Sequence, residues 1–245
     1  MTIPRQTAAT TRGDPMTALR KTALVAGIFY LITFISIPTL ALYGPVKNHR
    51  DWILTSGSHT GVLVGAFLEV IVALAGIGTA VTLYPVVKRQ NEGFALGFVT
   101  SRVIETGLIF TGVLSLLSLV TLRQDLGGAT GANAASLVTT AASHVATYKW
   151  TFVLGQNLMP GVNALLLGTL LYRSRLVPRA LPVLGLIAGP LLIASVAATI
   201  FGGIKLGSPI LAGLPVAAWE FSLGGWLVVK GFRPTAITAA IDAAA

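Results

Sequence analysis

Glu69, Arg102, Glu105 and Glu220 are the residues here whose types and surroundings could do chemistry, because each interrupts a long run of apolar side chains. A charged side chain at the centre of a membrane helix costs about 2.5–3.5 kcal/mol on insertion scales, so none of the four is expected to face lipid. Arg102 and Glu105 are spaced i, i+3 and share one helix face. The guanidinium is a planar fork of donors that could serve two carboxylates at once. One cation among several carboxylates in a low dielectric is unfavourable, so at least one glutamate is expected to be protonated or to hold a cation. That pattern fits a proton relay, the binding of a polar or cationic ligand, or a general acid. It also fits a charge network that only locks helix register.

Amides supplement the charges. Gln156, Asn157 and Asn163 lie in one apolar run, with Met159-Pro160-Gly161 between them. The proline should weaken or kink that helix and free backbone carbonyls in mid-span. Trp219 adjoins Glu220 and could serve as a stacking platform or as packing. His49, His59 and His144 fall towards one side with no ligand spacing, so no metal is expected, and no cofactor. The ligand-binding or proton-relay candidates are therefore Arg102, Glu105, Glu220, Glu69 and Asn163. Gln156, Asn157 and Trp219 are secondary, and no residue is identified as catalytic.

The elements that position these residues follow from composition. Of 245 residues 54% are hydrophobic and only 10% charged, against about 25% charged in soluble domains. There is no cysteine, which removes disulfides, thiolate metal sites and thiol nucleophiles. The net charge of +9 does not indicate nucleic acid, because the basic residues sit between apolar runs. A spanning helix needs roughly 20 apolar residues to cross about 30 Å of hydrocarbon. Six such runs occur, at 22–43, 60–86, 94–121, 151–172, 180–203 and 209–230. The expectation is an all-α membrane protein, a polytopic bundle of six transmembrane helices. Residues 1–20 are expected to form a mobile cytoplasmic tail, 21–232 the transmembrane domain and 233–245 a second short cytoplasmic tail.

Helical rise puts Glu69 about 13 Å, and Glu105 and Glu220 each about 16 Å, into their runs. The three carboxylates thus fall near one level, although the face that Glu69 presents is open. Alternate loops divide the Lys and Arg residues eleven to five, with Arg102 inside a span. The richer side carries both ends of the chain, which places both termini in the cytoplasm. The longest connection, 122–150, is then external. Gly127, Gly128 and Gly131 loosen its first half, and from Asn133, a plausible N-cap, Leu137, Ala141, Val145 and Tyr148 recur at helical spacing. A short external helix or lid is expected there, the alternative being an ordered linker into span four. Gly61/Gly65, Gly93/Gly97 and Gly185/Gly189 are small-residue pairs that let helices approach closely.

Several stretches resemble a family of bacterial multi-pass membrane proteins, domain of unknown function 4386. They are Leu19 to Leu31, Leu83 to Glu105, Asn163 to Leu181 and Leu214 to Phe232, in that order. The specific parts are the Arg102-x-x-Glu105 pair, the turn from Leu171 to Arg179 and Glu220 followed by Trp226 and Lys230-Gly231-Phe232. The resemblance implies a helical bundle in the cytoplasmic membrane and puts emphasis on Arg102, Glu105, Asn163 and Glu220. It implies no activity.

Phosphate-binding glycine loops, nucleophile elbows, His-Glu-x-x-His and Asp-rich prenyl-diphosphate motifs are all missing from the sequence. Three functions follow as alternatives. One is a small-solute or proton-coupled carrier, or a ligand-binding membrane protein, built on the Arg/Glu cluster. Another is a structural or accessory subunit, a homo-oligomer or a membrane partner, with the cluster as a lock. The third is an intramembrane lipid or isoprenoid enzyme with a glutamate as general acid. The lipid bilayer is a partner in each.

Overall fold

The computed structural model describes residues 16–203, 205 and 210–243. The tail expected over 1–20 lies outside the described residues as far as residue 15. Eight helices of seven residues or more are present: α1 (Ala18–Ile32), α2 (Thr60–Val87), α3 (Glu92–Leu126), α4 (Gly131–Phe152), α5 (Met159–Ser174), α6 (Ala180–Ile200), α7 (Ile210–Val229) and α8 (Ala236–Asp242). Among the described residues five segments are long and apolar enough to cross a membrane: Ala18–Leu42, Thr60–Val87, Glu92–Leu126, Ala180–Ile200 and Leu211–Val229.

The helix ends follow local rules. The Thr17 side chain accepts from the Arg20 N–H at the start of α1, and Asn91 accepts from the Phe94 N–H at the start of α3. At its C-terminus α7 is closed by a distant residue: Arg20 Nη1 donates to the Leu227 carbonyl at 2.9 Å, and Nη2 donates to that of Val228. A cation at a helix C-terminus is favourable because that end carries partial negative charge. Thr235 and Thr238 form a capping box on α8, so the segment expected as a plain tail carries a short helix.

Two helices break where proline removes a donor. Beyond Ile32 the chain tightens into a 3₁₀ turn, Thr33–Ser36, ahead of Pro38, whose ring cannot sit above the carbonyl four residues back. Hydroxyls take up the freed carbonyls: Thr33 donates to Tyr30 at 2.6 Å and Thr39 donates to Ser36 at 2.7 Å. The second break precedes Pro160. There α4 widens into a π-helical turn, Val153–Leu158, before continuing as α5. Asn157 Nδ2 donates to the Phe152 carbonyl, five residues back, at 3.3 Å.

This division differs from the expected one. The run at 151–172 is shared among the end of α4, the π turn and α5, so it does not stand among the five long apolar helices. The expected short external helix is instead a helix of 22 residues that runs straight into that turn. No proline interrupts residues 131–152, and Gly131 makes the reversal at φ 59°, so the cap is Thr130 and Asn133 lies inside α4. Helix α3 has 35 residues, about 52 Å of rise, more than a hydrocarbon crossing requires. Its surplus packs with α4 and residues 43–54 into a second apolar core around Tyr43, Trp52, Leu119, Leu137 and Tyr148.

In the main bundle α1 packs on α2, α2 on α3, α3 on α5, α5 on α6, α6 on α7 and α7 back on α1, so six helical segments close a ring. Glycine sets its tightest seams. A Cβ on Gly27 would lie 2.7 Å from the Gly224 carbonyl oxygen and 2.8 Å from the Val228 nitrogen, both backbone atoms that cannot swing aside. Gly189 faces the Gly161 carbonyl in the same way, and Gly185 faces the Trp219 ring. Gly27→Val is therefore expected to lower stability by about 1–3 kcal/mol, the usual cost of overpacking. A Cβ on Gly107 would meet no described atom within 4 Å beyond its own stretch of helix, and Gly107→Ala should instead stabilise α3 by up to about 1 kcal/mol. Thermal unfolding of both variants in nanodiscs checks the pair, and equal melting would contradict the α1–α7 seam.

Candidate functional site

Arg102 is buried on the inner face of α3, and its fork is divided between two helices. Nη1 donates to Glu105 Oε2 at 3.1 Å, one helical turn along, and Nη2 donates to Glu220 Oε1 on α7 at 2.7 Å. Asn163 on α5 donates from Nδ2 to Glu105 Oε2 at 2.7 Å, and its own oxygen accepts from Ser101. Four sequence candidates from three helices thus meet at one place. The rings of Tyr30 and Phe98 stand 5.4 and 5.8 Å from the guanidinium carbon, near enough for cation–π attraction. Arg102 Nε and the Tyr30 hydroxyl are buried without a partner among the described residues.

Glu69 is elsewhere. It is fully buried on α2 and accepts three hydrogen bonds from neutral groups: the Tyr43 hydroxyl at 3.3 Å, the Tyr148 hydroxyl at 3.1 Å and Gln156 Nε2 at 3.1 Å. No described cation lies within ion-pair distance of it, because both salt bridges belong to Arg102. The two tyrosine rings meet edge to face at 5.3 Å, which fixes both hydroxyls on the same carboxylate. Sequence reasoning missed Tyr43, Tyr148 and Ser101 as partners. Tyr148 did stand on the apolar stripe of α4, and a polar tip on such a stripe, when buried, needs an acceptor.

Between these two groups lies a cavity of about 310 Å³. Arg102, Glu105 and Glu220 line one part of it, and Gln156 and Asn157 on the π turn line another. Phe34, Val72, Ile109 and Phe152 supply apolar walls. Both proline breaks open onto it: the 3₁₀ turn after α1 contributes Thr33 and Ser36, and Pro160 marks the other edge. Irregular backbone at membrane depth is tolerated only where it is buried in protein or lines a cavity. Gln156 belongs to both neighbourhoods, since it reaches Glu69 while lining the cavity.

Trp219 is placed differently. Its ring is fully buried against Gly185 in the α6–α7 seam, and its indole N–H has no partner among the described residues. It does not line the cavity.

The arrangement can hold a polar or positively charged group against two carboxylates while apolar walls exclude water. Electrostatic interactions strengthen in such a low dielectric. Comparison with known proteins adds the following. The model of a family described as Domain of unknown function (DUF4386) matches residues 25–231. No curated protein and no solved structure matches the chain.

Proposed function

We propose that this chain, which belongs to the DUF4386 family, binds a small polar or cationic ligand in its mid-bundle cavity and acts as a carrier for it, with proton coupling at the carboxylates. The observation that carries the reading is that Arg102, Glu105 and Glu220 line a cavity of about 310 Å³. That volume is at the lower end for small-molecule sites, which suits a solute of few atoms. One guanidinium faces two carboxylates there, so a cation or a proton completes the charge balance. Phe34 and Phe152 on the walls favour an organic cation by offering aromatic faces.

The same reading gives the topology. The π turn joins the end of α4 to α5 as a sixth crossing, and the place of α5 in the ring of six segments supports this. With six crossings both termini share a side, and the excess of Lys and Arg there makes that side cytoplasmic, in the cytoplasmic membrane of a bacterium. Residues 21–232 then form the transmembrane domain. A pure register lock would pack its charges away from any open volume, and this speaks against the accessory role. One observation favours the enzyme reading as second choice. Ile37, Leu40 and Leu214 line the cavity and are exposed on the outside of the bundle, so a lipid could enter sideways.

The test uses purified protein in nanodiscs with methylammonium, guanidinium and tetramethylammonium as probes. Binding by at least one probe is expected, and Glu220→Gln should weaken it about tenfold. The same variant should melt at or above wild type near neutral pH, because Arg102 keeps Glu105 as its counter-ion and the cluster loses its excess negative charge. If none of the probes binds and Glu220→Gln melts several degrees lower, the cluster is a lock and the carrier reading fails.

A further inference from the structure

We propose a second binding site, for an organic anion, at the end of the bundle that carries the α3–α4 turn. Its basis is a pocket of about 270 Å³ walled by Lys47, Arg50 and Lys149, with His49 at its edge. The sequence builds it from two separate stretches. Pro45 starts a single helical turn, Gly44–Asn48, which directs Lys47 inward, and Arg50 follows on the bend towards Trp52. Lys149 comes from α4, one turn beyond Val145. The surplus length of α3 and α4 creates this end of the molecule, and Val46, Ile53, Leu119 and Ala141 give the pocket an apolar floor.

Three cations converge here, and among the described residues none of them forms an ion pair. Neither described salt bridge involves any of them, and no carboxylate lines the pocket. Lys47 and Lys149 are half-buried, so their charges are not simply spread into water. Burial lowers the affinity of the Lys47 amine for its proton, Glu69 opposes that shift, and Lys149 adds to it. A guest with a negative head relieves the repulsion between the two lysines, and its short apolar body covers the floor. Arg50 supplies the planar donor fork that suits phosphate and carboxylate oxygens. The shared chemistry is a phosphate or carboxylate head on a short apolar body, whether a soluble organic anion or the headgroup of an anionic lipid.

The site stands apart from the mid-bundle cavity, yet it is not isolated. Lys47 Nζ lies 5.8 Å from the centre of the Tyr148 ring, and the Tyr148 hydroxyl donates to Glu69. An anion on Lys47 would therefore sit behind the group that holds the buried carboxylate.

The experiment uses the full chain in phosphatidylcholine nanodiscs, titrated with hexyl phosphate and, as a charge-reversed control, hexyltrimethylammonium. Hexyl phosphate should raise the melting temperature while the control does not. The double variant Arg50→Gln/Lys149→Gln, altered at one exposed and one half-buried position, should weaken hexyl phosphate at least about tenfold, the loss expected when charge-assisted hydrogen bonds are removed. Glu105→Gln should leave that affinity unchanged, which separates this site from the mid-bundle one. Repeating the titration in discs containing phosphatidylglycerol distinguishes the sources: competition assigns the pocket to a lipid headgroup, and unchanged affinity assigns it to a soluble anion. Equal binding of the control, or a double variant that binds hexyl phosphate as wild type does, overturns the proposal.

Discussion

Arg102→Met is expected to be the most damaging single substitution in the cluster. It would leave two carboxylates facing each other across the inside of the ring, between α3 and α7, with Asn163 as the remaining hydrogen-bond donor to Glu105 and, among the described residues, none to Glu220. Removing one partner of a buried ion pair costs about 3–5 kcal/mol, because the other charge stays desolvated and unpaired. Replacing a whole buried network with neutral groups is often harmless by the same rule. The triple variant Arg102→Met/Glu105→Gln/Glu220→Gln should therefore regain most of the loss. Arg102→Lys should fall between, since an ammonium is a point charge and cannot place two separate nitrogens on carboxylates from two helices. Unfolding midpoints of the four proteins in nanodiscs check the series. If Arg102→Met is as stable as wild type, the guanidinium is not what holds the two carboxylates.

The triple variant also separates the readings of the cluster. A register lock has stability as its only output, so a variant that regains stability should regain everything. A binding site would stay empty of probe even though the fold is restored. Measuring guanidinium binding on the triple variant is therefore more telling than any single substitution.

How much of this was legible in the sequence depends on the distance over which each feature is determined. The i, i+3 spacing of Arg102 and Glu105 fixes their shared face by helix geometry alone. That Glu220 joins them depends only on depth and on the scarcity of cations, both readable from the chain. Glu69 lies at a similar depth and yet goes elsewhere. The reason is rotation: its face of α2 meets Tyr43 and the π turn, and helix rotation is set by packing that a sequence of nearly uniform hydrophobicity does not record. The α4 helix was underestimated because loop-like glycines precede it, whereas its own residues contain no breaker. The break at Pro160 was readable, but its form was not, since a π turn with Asn157 closing onto Phe152 depends on side chains turning back to the backbone. The Gly27–Gly224 seam was missed because the two glycines lie in different helices and form no local spacing motif.

Glu69→Leu should be the second most costly change, and for the opposite reason. No ion pair is broken; three donors are stranded. Leucine nearly matches the volume of glutamate but offers no acceptor to the hydroxyls of Tyr43 and Tyr148 or to the Gln156 amide. Each buried donor left without a partner costs about 1–3 kcal/mol. Gln156 should contribute least, because it lines the cavity and can turn towards it. Glu69→Gln keeps one acceptor oxygen and should lose no more than about 1 kcal/mol. Removing the donors together with the acceptor should also be mild, so Glu69→Leu/Tyr43→Phe/Tyr148→Phe is expected to melt well above Glu69→Leu alone. If Glu69→Leu melts like wild type, the tyrosines have found other acceptors and the carboxylate is not their anchor. The informative case for function is Glu69→Gln, in which the fold is kept and only the ionisable group is gone. Among the described residues Gln156 is the one side chain that both hydrogen-bonds Glu69 and lines the cavity, so a shift in probe affinity in this variant would travel through the π turn. Gln156→Leu should abolish that shift while leaving the Arg102 cluster in place, which makes the π turn the coupling element between the two buried carboxylate sites.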